Sequence, residues 1–94
     1  MNILDSPEFQ AHRRIAETKE RIFKVSTKEK KGAPWITVKT DISDLQEAMA
    51  TALDCNTFET AVFFLDQNGA GSMYWSSRHP NILNSTLIDK ADIF

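Results

Sequence analysis

The sequence has a single cysteine, Cys55, only three glycines and three prolines, and a net charge of only −2 over 94 residues. Each scarcity excludes something. One cysteine rules out an internal disulfide framework and a cysteine-rich zinc site, and it points to a reducing, cytoplasmic setting. Few glycines and prolines rule out collagen-like and low-complexity chains. Such a small net charge argues against an acidic mimic of DNA, which needs a dense anionic surface. The longest wholly apolar run is Ala61–Leu65, far short of the roughly 20 residues of a membrane-spanning helix. Met1–Gln10 has neither a basic stretch nor an apolar one, so no secretory signal is expected there.

What is present is the composition of one soluble globular domain, 41% hydrophobic and 26% charged. The expectation is a single domain over 1–94, whose C-terminal segment, 79–94, packs on the core or on a partner. That segment carries Ile82, Leu83, Leu87, Ile88, Ile93 and Phe94, which is too apolar for a free tail.

Ser6-Pro7-Glu8 reads as a helix start: a capping hydroxyl, a proline suited to the first position and an acid in the positive first turn. The spacing of Phe9, Ile15, Ala16, Ile22 and Phe23 predicts an amphipathic helix from residue 7 to about 22. His12 and Lys19 interrupt its stripe. Phe23–Thr27 also alternates as a strand, and Trp35–Thr40 is rich in β-branched residues, so a first hairpin is expected across the charged turn Lys28–Pro34. Ser43 and Gln46 stand at capping-box spacing before Leu45, Ala48, Met49, Ala52 and Leu53, the clearest helical stripe in the chain. Thr60–Asp66 is apolar on both alternations, as in a buried central strand, and Asn68-Gly69 turns it into Ser72–Ser77.

The order is α-β-β-α-β-β, and the predicted fold class is α+β: a four-stranded, largely antiparallel sheet with two helices packed on one face. The order can be read as two αββ units with Gly32-Ala33 and Gly69-Ala70 at matching turns, but a two-residue match is poor evidence for a repeat. Val62 and Phe64 are expected to face the helices, with Phe63, Leu65 and Tyr74 facing away, where the C-terminal segment, a second copy or a partner must cover them.

Charge is unevenly placed. Residues 1–40 hold nine of the eleven Lys and Arg residues but five of the thirteen acids. A solvated charged face is the commonest meaning of such a split, and a surface for an anionic partner is the functional one. Little else suggests chemistry. His12 and His79 could flank a phosphodiester, yet no motif joins them, and a half-satisfied core histidine and a turn histidine explain them better. No spacing of His12, Cys55 and His79 makes a metal site. Cys55 lies at a helix C-terminus, where the dipole disfavours a thiolate. Gly69-Ala70-Gly71 lacks the Lys-Ser/Thr of a phosphate loop. No enzyme activity, cofactor or metal is expected.

By elimination, the expected function is a non-enzymatic protein-binding inhibitor or modulator of a larger enzyme or complex, of the kind that phages and mobile elements encode. It would act as a monomer or homodimer. The candidate contacts are a basic face of Arg13, Arg14, Arg21, Lys28, Lys30 and Lys31, an aromatic patch of Trp35, Tyr74 and Trp75, and Arg78. The alternative is a small nucleic-acid-binding protein that uses the basic N-terminal helix and the Lys28–Lys31 turn.

Overall fold

A computed structural model of the protein describes residues 3–66 and 68–84. A short 3-10 turn, Ile3–Asp5, leads into helix α1, Pro7–Thr18. Strands β1 (Ile22–Lys28) and β2 (Ile36–Ile42) follow, then helix α2 (Leu45–Asp54), and strands β3 (Glu59–Leu65) and β4 (Gly71–Ser76). This is the expected α-β-β-α-β-β order. The sheet is antiparallel throughout, in the order β2-β1-β3-β4.

Helix α1 begins as its sequence directs, with the Ser6 hydroxyl accepting from the Phe9 amide at 3.1 Å and Pro7 in the first turn. It stops earlier than periodicity predicts. Glu20, at φ 55°, donates its amide to Glu17 O, and Arg21 donates to Ala16 O, the paired bonds of a Schellman ending. The chain then extends, so Ile22 and Phe23 belong to β1 rather than to the helix. The α1 face turned inward is Phe9, His12 and Ala16, so His12 completes the buried stripe instead of interrupting it.

Helix α2 is capped by Asp44, not Ser43: the Asp44 carboxylate accepts from the Gln46 amide at 3.0 Å. Leu45, Ala48, Met49 and Ala52 are buried, whereas Leu53 ends up exposed. Both helices serve one sheet face. Their apolar stripes meet Phe23, Val25, Val62 and Phe64 in a single core that also takes in Ile42, Tyr74, Trp75 and Leu83.

Two irregularities shape the sheet. In β4, Val62 pairs with Trp75 and Phe63 with Met73, leaving Tyr74 as an extra residue. The bulge breaks alternation, so Tyr74 and Trp75 are both buried, 1% and 3% exposed. Tyr74 therefore faces the helices, not away from them as strict alternation implied. Strand β2 has register shifts at two places against β1, and Asp41 there sits at φ 57°.

The described part of the C-terminal segment packs on β4. The Asn84 amide donates to Tyr74 O at 3.0 Å, Trp75 Nε1 donates to Pro80 O at 3.1 Å, and Leu83 enters the core. Leu87, Ile88, Ile93 and Phe94, expected to pack as well, lie outside the described residues.

Candidate protein-docking surface

Alternation along β1 and β3 gives the sheet two unlike faces. Phe23, Val25, Val62 and Phe64 belong to the helix-covered core, so Lys24, Ser26, Lys28, Glu59, Ala61, Phe63 and Leu65 point the other way. Among the described residues no helix lies on that second face. The β1–β2 turn brings Trp35 onto it, edge-to-face with Phe63 at 5.2 Å between ring centroids.

The aromatic rings of this region carry cations. Lys24 Nζ lies 5.6 Å from the Phe63 centroid, and Lys28 Nζ lies 4.5 Å from that of Trp35. At the end of the sheet the Arg78 guanidinium lies 4.5 Å from the Phe58 centroid. All three are within the range in which a ring quadrupole attracts a cation. Each long side chain is thereby laid on an aromatic ring.

Lys28 stands directly opposite Glu59 in the β1–β3 ladder, yet their charged ends do not meet. Glu59 Oε2 accepts from the Ser76 hydroxyl at 2.7 Å, and Lys28 turns to Trp35. Lys28, Lys31 and Arg78 together with Phe58, Glu59 and His79 line a cleft of about 260 Å3 where β1, β3 and β4 end. Among the described residues no carboxylate lies within ion-pair distance of these three cations; ion pairs lie elsewhere, among them Arg13–Asp44 and Lys39–Glu47.

The structure divides the residues that the sequence singled out. Lys28, Lys31, Trp35 and Arg78 come together at this end of the sheet, and Lys30 is exposed in the same turn without lining the cleft. Arg13 and Arg14 are on α1, on the helix side, with Arg13 3.7 Å from Asp44. Arg21 lies over Phe64 at the other end of β1, 5.6 Å from the ring centroid. The expected continuous basic face is thus split three ways. Tyr74 and Trp75 are core residues, because the β4 bulge turns both inward, so the expected patch reduces to Trp35.

The sequence pointed to Phe63 as a residue facing away from the helices and needing cover, but it named neither Lys24 nor Phe58 as a contact. Lys24 alternates with buried Phe23 and Val25, a signal that it faces away from the core. Phe58 has no such signal, since only the meeting of β3 and β4 sets it beside Arg78.

The histidines go to different places. His12 is in the core, its Nδ1 2.8 Å from the Tyr74 hydroxyl, and His79 is exposed at the rim of the cleft. Cys55 is half-buried, its thiol donating to Thr51 O. Among the described residues no cluster of three or more His, Cys, Asp or Glu is placed to hold a metal ion, and no helix is long and apolar enough to cross a membrane. Comparison with protein families, curated proteins and solved structures gives no match.

Proposed function

We propose that this protein is a non-enzymatic binding module that docks on a larger enzyme or complex and inhibits or modulates it. The docking surface is the sheet face turned away from α1 and α2 together with the cleft at its Lys28 end. One observation carries this reading: Lys28, Lys31 and Arg78 converge on one cleft, beside Trp35 and Phe58, and among the described residues none of the three is ion-paired to a carboxylate. Aromatic and arginine side chains concentrate at interface hot spots, and unneutralised cations steer an anionic partner into register. The reading suits the small single-domain inhibitors that phages and mobile elements direct at host enzymes inside the cell.

Nucleic acid is the weaker candidate. Bases need free ring faces to stack on, and the rings of Trp35, Phe58 and Phe63 already carry an ammonium or guanidinium group.

The test is capture from nuclease-treated lysate with two baits, the wild-type chain and the Lys28→Glu/Lys31→Glu/Arg78→Glu variant. The expected result is one stoichiometric protein retained at moderate salt by the wild type alone. The same proteins on both baits, or nucleic acid as the only specific cargo from untreated lysate, would overturn the reading.

A further inference from the structure

Neither edge of the sheet offers a clean ladder to a partner strand. Strand β4 has Asn84 bonded to two of its carbonyls: the backbone amide donates to Tyr74 O and the side-chain amide to Met73 O, at 3.0 and 3.3 Å. Strand β2 is interrupted by its register shifts and by Asp41 at positive φ, and Lys39 on it is drawn 2.7 Å from Glu47 of α2. Bulges and charges of this kind are how natural sheets discourage edge pairing. Ser26 and Ala61 in the middle of the second face are buried, so recognition is left to the longer side chains that surface it, Lys24, Lys28, Trp35 and Phe63.

Those side chains present one chemistry. Lys24 on Phe63, Lys28 on Trp35 and Arg78 on Phe58 are three cations, each seated on an aromatic floor, and the first two lie on the same strand face. Lys28 is four residue steps along the strand from Lys24, a backbone span of roughly 13 Å. Arg78 stands across the strand ends from Lys28, in the same cleft. The arrangement is an L-shaped row of positive charges over apolar ground. From this we infer that the partner element recognised is an acidic, extended peptide segment whose carboxylates sit on these cations while its backbone crosses the Trp35–Phe63 pair. This rests on the docking reading above and gives it a chemical class. Carboxylate is favoured over nucleotide because the cations cover the rings a base would need, and a carboxylate needs only the cation.

Glu59 makes the inference sharper. Among the described residues it is the one carboxylate that lines the cleft, held by Ser76, and it opposes any anion placed there. Glu59→Gln removes that repulsion and keeps an acceptor for the Ser76 hydroxyl.

Fluorescein-labelled deca-glutamate, followed by anisotropy at low ionic strength, is the direct probe. Binding to the wild-type chain is expected, abolished by Lys28→Glu/Arg78→Glu and unchanged by Arg14→Glu on α1. Trp35→Ala, which takes away one aromatic floor, is expected to weaken it about two- to fivefold. Glu59→Gln is expected to tighten it about twofold, a gain that damaged folding cannot mimic. Three results would overturn the inference: no binding by the wild type, binding indifferent to the double charge reversal, or tighter binding of a single-stranded oligothymidylate of the same length. If deca-glutamate fails while the triple charge reversal still abolishes protein capture, the docking surface stands and only its acidic-segment partner falls.

Discussion

His12 Nδ1 and the Tyr74 hydroxyl lie 2.8 Å apart in the core, joining the first helix to the last strand across 62 positions of sequence. Both residues are at least 95% buried, at 5% and 1% exposed. The hydroxyl donates to the imidazole when the ring carries its proton on Nε2. Their rings meet edge-on at 5.8 Å, and Tyr74 in turn meets Phe23 at 6.4 Å, so the hydrogen bond is enclosed by aromatic packing.

Removing the hydroxyl leaves the His12 nitrogen buried without its partner. Tyr74→Phe is expected to lower stability by about 1–3 kcal/mol, the cost of an unsatisfied buried acceptor. Urea unfolding followed by the fluorescence of buried Trp75 and half-buried Trp35 would measure it. A midpoint equal to that of the wild type would show that the bond contributes nothing.

Burial, reinforced by the Glu8 carboxylate, holds the Tyr74 hydroxyl well above its ordinary value of about 10. Above that pH the unfolded chain loses the phenolic proton while the folded chain keeps it, so the unfolded state binds fewer protons and stability falls. The contribution is fully present below about pH 10 and declines above it by up to about 1.4 kcal/mol per pH unit. Tyr74 is the only tyrosine, so tyrosinate absorbance reports this group alone. Its appearance is expected to coincide with unfolding; tyrosinate forming in the folded chain near the ordinary value would contradict the burial.

Glu20 occupies the left-handed position of the Schellman ending at φ 55°, where glycine is the usual residue. Glu20→Gly is expected to raise stability by about 0.5–1 kcal/mol, because relief of the left-handed strain exceeds the added chain entropy. Thermal midpoints of the two chains would show it.

Ser26, 1% exposed in the middle of β1, has no hydrogen-bond partner for its hydroxyl among the described residues. Ser26→Ala is expected to be neutral or to stabilise by up to about 1 kcal/mol. A loss of stability would reveal a bound water that satisfies it.

A second copy does not suit the open face, since stacking two such faces would bring the Lys24 and Lys28 rows of both chains together. Light scattering is expected to find monomers at moderate ionic strength. A stable dimer dissociated by Phe63→Glu would mean that the face serves self-association instead.

Much of this fold was legible in the sequence. Ser6-Pro7, the α2 stripe and the alternation of β1 and β3 are local signals, decided by caps and by periodicity. Val25 and Val62, each the central residue of a seven-residue strand, pair with one another where β1 meets β3. Gly32 and Gly69 each adopt φ 81° in the turn of their own hairpin.

What the sequence settled was therefore the order of elements, the fold class and the uneven charge, because these follow from spacing along the chain. Tertiary structure decided the rest. The β4 bulge turned Tyr74 and Trp75 inward, which no alternation rule foresees, since a bulge is set by the partner strand. The early end of α1 depended on Glu20 accepting a left-handed conformation without being glycine. The cleft joins Lys28 and Lys31 to Arg78, residues some fifty positions apart, only because β1, β3 and β4 end at the same level of the sheet. Charge in a sequence counts ions; which of them lack a counter-ion is fixed by where the chain brings the carboxylates, and here Glu59 was turned to Ser76.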